Sequence, residues 1–203
     1  MPRPAAALVA AQAPTVERLL DAAEVAFGAH GFAAARLEDI AAAAGIRRPS
    51  LLHHFSSKEA LYAAVVARAF ARLGEALQAA MGVGGGFPAR LDALVSGYLA
   101  FLATHPAFAA LVLREVMDGK GPGRDLLAGE VAPLLDAVEA FVRAERPGAP
   151  ARAAVLQVAC APLVRTAAGP LGPRLWGDGP DDTPALARAL LLPPGPARPG
   201  PLR

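Results

Sequence analysis

Twenty prolines and twenty glycines divide this 203-residue chain, and they fall mainly at the breaks between alanine- and leucine-rich runs. Proline lacks an N–H and glycine is costly in a regular interior, so the runs read as helices and the joints as turns. Aromatic residues make up only 5% of the chain, which favours helices packed through small side chains over a sandwich core. No strand-like alternation and no internal repeat is found. The expected fold class is therefore all-α.

From Thr15 the residues Val16, Leu19, Leu20, Ala23, Ala26 and Phe27 recur at helical spacing, while Glu17, Arg18, Asp21 and Glu24 fall on other faces. Gly31 can end that helix at positive φ without steric cost. A short second helix is expected from Leu37 to Ala44, with Leu37, Ile40, Ala41 and Ala44 inward and Gly45 as its stop. Pro49 suits the first position of a third helix, where Leu51 and Phe55 share a face. Ser57 can cap a longer helix that reaches Met81, on which Leu61, Val65 and Ala69 pack back on the short ones. Gly82 to Gly86 follows a helix rather than a strand, so it reads as a flexible joint and not as a phosphate loop. Further helices are expected at about 88–104, 106–117, 125–145, 152–168 and 184–192.

Two short helices joined by a glycine-containing turn form a helix-turn-helix. In that unit the second helix enters the major groove, its first residues face base edges, and flanking residues hold phosphates. The stretch "GIRRPSLLHHF" then assigns Arg47, Arg48, Pro49, Ser50 and His53 to a DNA face. Arginine suits guanine and phosphate equally well, so both roles stay open for Arg48. Lys58, at the start of the next helix, is expected to reach the phosphate backbone.

Adjacent helical residues point about 100° apart, so His53 and His54 do not converge on one ion. No Cys, Asp or Glu stands at ligand spacing within this short helix, and neither a metal nor a cofactor is expected. The net charge of +2 does not by itself demand a nucleic-acid partner, so the argument rests on the local cluster. The single cysteine, Cys160, lies in the apolar run "AVLQVACAPLV" and is expected to be a buried thiol. The start "MPRPAAALVAAQAP" mimics a signal peptide but is mostly alanine, so a disordered arm is expected over 1–14. No apolar run supplies the roughly 20 residues a membrane span needs. No membrane partner and a cytoplasmic location are expected.

The residues "LLDAAEVAFGAHGFAAARLEDIAAAAGIRRPSLLHHFSSKEALYAAVV" resemble the DNA-binding domain of TetR-type (tetracycline-repressor-like) transcriptional regulators. The pattern is a first helix ending near Gly31-Phe32, the "IAAAAGI" second helix, and a recognition helix closing on His54-Phe55 before "SSKEAL". Two positions depart from it. Ala35 and Arg36 replace small hydroxyl residues, which removes a cap and offers a guanidinium to phosphate. Leu52 replaces the usual tyrosine, so a phenol-to-phosphate contact is missing.

The resemblance implies a helix-turn-helix DNA-binding domain over 15–60 with a connecting helix at about 57–81. A helical ligand-binding and dimerisation domain over 82–192 would follow, then a disordered tail over 193–203. It implies a homodimer on a double-stranded operator, with the helices at 152–168 and 184–192 at the two-fold axis, and a small-molecule effector of unknown identity. Tyr98, Phe101, Phe108, Met117, Phe141 and Trp176 are large groups in a small-side-chain domain and are the candidate ligand-binding residues. Arg114, Glu115, Gln157 and Arg165 can supply polar recognition. The rival readings are a helical dimer that has lost DNA binding and acts as a ligand sink or partner-binding module, and an enzyme. No Ser-His-Asp pattern or persuasive phosphate loop supports the enzyme, and no catalytic residue is expected.

Overall fold

The computed structural model describes residues 5–118, 123–177 and 179–192; the expected tail lies outside them. No strand occurs among the described residues. The first helix, α1 (Ala5–Ala34), reaches back into the segment expected to be a disordered arm. That run is alanine-rich, and alanine loses least on entering a helix; Pro14 inside it removes one N–H donor. Gly31, at φ 76° and ψ 169°, breaks the axis and turns the last residues aside. Only glycine takes that combination without strain.

Helix α2 (Leu37–Ala43) ends before Gly45, whose φ is 73°, and α3 (Arg48–His54) carries Pro49 in its first turn. In α4 (Lys58–Met81) the Ser57 hydroxyl oxygen accepts from the Ala60 N–H at 3.1 Å, as expected of a cap. The second half of the chain follows as α5 (Phe87–Thr104), α6 (Pro106–Asp118), α7 (Gly123–Glu145) and α8 (Ala151–Ala167). After a 3₁₀ turn (Gly169–Leu171) come a short α9 (Gly172–Trp176), absent from the sequence reading, and α10 (Thr183–Leu191). No single helix among the described residues is long and apolar enough to cross a membrane.

One core runs through both halves. Leu19, Ala23 and Phe27 of α1 are buried with Ile40, Leu51, Leu61 and Val65, and the cluster continues through Phe70, Leu91, Leu102 and Phe108 into Val142 and Val158. Each fully buried large side chain of this kind contributes about 1.5–3 kcal/mol relative to exposure. The most extensive helix pairing is α1 on α6. It depends on Gly28, where an added Cβ would stand 2.6 Å from the Ala107 carbonyl oxygen.

A surface seam ties α1 to α4. Arg68 meets Glu17 at 3.0 Å, Asp21 at 2.8 Å and the buried Glu24 at 3.1 Å, and Arg72 adds a 3.1 Å contact to Glu17. Cys160 corrects the sequence reading: it is exposed on α8, where it also borders the cavity described below. In a helix this rich in alanine the polarity of the faces is weak, so the apolar context of its neighbours did not report which way it points.

Candidate nucleic-acid interface and interior cavity

The first three helices bring together the residues assigned to the DNA face. Arg47, at the N-cap of α3, and Arg48, Pro49, Ser50 and His53 within it are exposed, and Leu51 from the same helix is buried beneath them. Leu52 and His54 are half-buried. Arg36 is exposed at the N-cap of α2 and makes no side-chain cap bond, in keeping with the missing hydroxyl. The outer side of α3 is thus polar and cationic while its inner side joins the core, which is the arrangement a groove-reading helix needs.

Two cations on this face already have partners. The Arg48 Nε lies 3.0 Å from Glu38 Oε1 on α2, with both side chains more than half exposed. The Lys58 ammonium donates to the Ala33 carbonyl oxygen at 3.1 Å and sits 4.8 Å from the centre of the Phe32 ring. Both contacts are at the surface and cheap to exchange for phosphate. Sequence spacing gave no signal of the Glu38 contact.

A partly open cavity of about 530 Å³ is bounded by α4, α5, α6, α7 and α8, with Leu191 of α10. Its wall is mainly aliphatic, with Leu73, Leu94, Val112, Leu127, Val131 and Leu134 among the lining residues. Of the six large residues singled out in the sequence, Tyr98 and Phe108 line it. Phe101 is buried, stacked on His105 at 4.4 Å and edge-on to Phe108 at 5.2 Å, and is not among the lining residues. Phe141 packs against Phe87 and under Arg90 instead. Met117 is 82% exposed and Trp176 38% exposed, both away from the cavity. Size alone therefore chose poorly. The repeat of Leu127, Val131, Leu134, Leu135, Val138 and Val142 along α7 was the better signal, since helical spacing marks a whole face and bulk marks only single residues.

Among the polar candidates, Glu115 lines the cavity and is only 7% exposed. Its Oε1 accepts from the Tyr62 hydroxyl at 2.5 Å. Burial, then the hydrogen bond to the Glu115 carboxylate, push the Tyr62 phenol well above its ordinary value, so it remains a proton donor. The Tyr62 ring meets Phe27, at 4.9 Å, and Phe32, at 5.2 Å, both edge-on and both from α1, and those two rings stack on each other at 6.2 Å. The neighbouring Arg114 lies across Gly31 and donates to the Ala29 carbonyl oxygen at 3.1 Å. Two successive residues of α6 thus contact α4 and the end of α1, the helices that flank the helix-turn-helix. On the other side of the cavity, the Tyr98 hydroxyl donates to the Ala159 carbonyl oxygen of α8 at 2.9 Å. Arg165 pairs with Asp181 at 3.5 Å, and Gln157 is exposed on α8.

Residues 19–65 match the family described as bacterial regulatory proteins, tetR family. Similar folds are found in solved structures. The fatty acid degradation regulator FadR from Bacillus halodurans superposes with a TM-score of 0.68 at 18% identity, covering 87% of this chain and 92% of that one. A TetR-like transcriptional regulator from Rhodococcus sp. RHA1 gives 0.68 at 22% identity, over 87% and 93%. The transcriptional regulator FadR from Bacillus subtilis, solved in complex with stearoyl-CoA, gives 0.66 at 15% identity, over 86% and 95%. A comparison with curated protein sequences returned no match. At these identities the solved structures speak for the fold alone, and the sequence match speaks for the N-terminal segment: residues 19–65 are similar to the family described as bacterial regulatory proteins, tetR family.

Proposed function

We propose that the chain is a transcriptional repressor that binds a pseudo-palindromic operator as a homodimer and is released by a small, mainly apolar effector. The observation that carries this is the exposed cationic side of α3 within the matched segment, standing on a core continuous with a partly open apolar cavity. Arg36, Arg47, Arg48, Pro49, Ser50, Leu52, His53 and Lys58 form the DNA face of this reading, and DNA binding places its work in the cytoplasm. No enzymatic role is proposed.

For the dimer, α8 offers an apolar stripe: Leu156, Cys160 and Val164 are four residues apart and all exposed, and α9 adds Leu175 and Trp176. A second copy covering that stripe sets two recognition helices on successive major grooves. For the effector, stearoyl-CoA bound to the Bacillus subtilis FadR is a precedent on this fold for a ligand with a long apolar part. Differential affinity of about 1–3 kcal/mol between two dimer geometries gives roughly a 5- to 150-fold change in DNA binding.

The test is footprinting on the DNA flanking the chain's own gene, with sedimentation in parallel. Wild type should protect two half-sites about one helical turn apart. Val164→Glu together with Leu175→Glu, neither of which lines the cavity, should give monomers that protect neither. Full protection by a monomer would overturn the reading. In the same assay Lys58→Ala should weaken every duplex and flatten the salt dependence, whereas Arg48→Ala should cost about 1–3 kcal/mol at one base position if it reads a base.

A further inference from the structure

We propose that the cavity takes an amphipathic organic cation, an apolar body with one basic or quaternary nitrogen seated on Glu115, and that Tyr62 is the positioning residue through which its arrival is felt at the recognition helices. This rests on reading the cavity as the effector site.

Among the described residues, the only charged ones lining the cavity are Glu115 and Arg124. Arg124 is exposed, so water screens it, whereas Glu115 is withdrawn from solvent, where the dielectric is low and a charge acts strongly. A carboxylate in such a place is costly unless it is matched. Two groups favour it. One is the Tyr62 hydroxyl; the other is the start of α7, so close that a Cβ on Gly123 would stand 2.2 Å from Glu115 Oε2. Neither carries a full positive charge, and no Lys, Arg or His forms an ion pair with Glu115 among the described residues. The other polar groups of the wall are committed or neutral: the Tyr98 hydroxyl is held by Ala159, and Cys160 is a thiol. An anionic headgroup at this depth would add repulsion, and a neutral one would leave the charge unmatched. A cation completes the pair with its apolar body against Leu127, Val131 and Leu134.

The same carboxylate reports occupancy. Drawn toward a ligand's positive charge, Glu115 loosens its hold on Tyr62, whose ring packs edge-on against the stacked Phe27 and Phe32 at the end of α1.

The full-length protein, without DNA, is titrated calorimetrically with decyltrimethylammonium, decan-1-ol and decanoate below their aggregation limits. The ammonium should bind most tightly to wild type, and Glu115→Gln should weaken it by about tenfold or more while leaving decan-1-ol unchanged, which also shows that the variant is folded. Tyr62→Phe should keep ammonium binding but uncouple it from release of operator DNA in a gel-shift assay. Equal affinity for ammonium and decan-1-ol in wild type overturns the proposal whether or not the variant folds. Preference for decanoate, lost in Arg124→Ala, overturns it in favour of an acyl carboxylate. Ammonium binding that needs Glu115 in a protein that grips no duplex leaves the ligand class standing and removes the regulatory reading instead.

Discussion

Arg48, which we propose faces DNA, shows how a single exposed contact can set the terms of that binding. Held by Glu38 across the helix-turn-helix, its guanidinium must leave a carboxylate before it meets a base or a phosphate, and that carboxylate then faces the polyanion. An exposed pair of this kind is worth about 0.2–1 kcal/mol, so Glu38 tempers binding rather than blocking it. Glu38→Gln should therefore tighten binding to random duplex by about two- to fivefold at low ionic strength, with the gain vanishing as salt screens it. Fluorescence anisotropy across a salt series measures this. Unchanged affinity at every concentration would mean that the pair has no part in recognition. Which side of α3 is exposed was legible from the sequence, because Pro49, Gly45 and the Leu51-Phe55 spacing fix which side is buried. The partner of Arg48 was not, since it lies on another helix and no periodicity links the two.

At the scale of elements, the close crossing of α1 and α6 couples the two halves of the chain. Replacing a mid-helix glycine by alanine ordinarily gains about 1 kcal/mol in helix propensity. At Gly28 the new methyl would meet the backbone oxygen of Ala107, which cannot swing aside as a side chain can. Overpacking of that sort costs about 1–3 kcal/mol. Gly28→Ala should accordingly lower stability despite the better helix former, and urea unfolding followed by circular dichroism would show it; a stabilised protein would mean that α6 yields easily. The sequence fixes no such crossing. It told where helices stop, because glycine and proline act within a few residues, and it placed α5 to α8 and α10 to within a few residues of where they lie. It missed α9, whose Gly-Pro start reads as a break, and it misjudged Cys160, Met117 and Trp176, whose exposure depends on what packs from elsewhere.

For the whole molecule, α10 is fastened to α5 by Arg188, whose Nε donates to Asp92 Oδ1 at 2.7 Å. The Arg188 hydrogen bond holds the Asp92 carboxyl below the usual aspartate range. The folded protein therefore binds that proton less readily than the unfolded chain. The contribution is complete above the ordinary aspartate value of about 4 and is lost as pH falls through the lower folded value. Thermal melts from neutral to acid pH should show a decline of which Asp92→Asn removes a part, and identical profiles for the two proteins would refute the assignment. The bond from Tyr98 to the Ala159 carbonyl has a wider consequence. It joins the wall of the cavity to the helix we assign to the twofold axis, so a guest pressing on that phenol in one copy also presses on its twin. In the dimer we propose, the two seats should therefore not fill independently, and their occupancy curve should depart from a simple hyperbola.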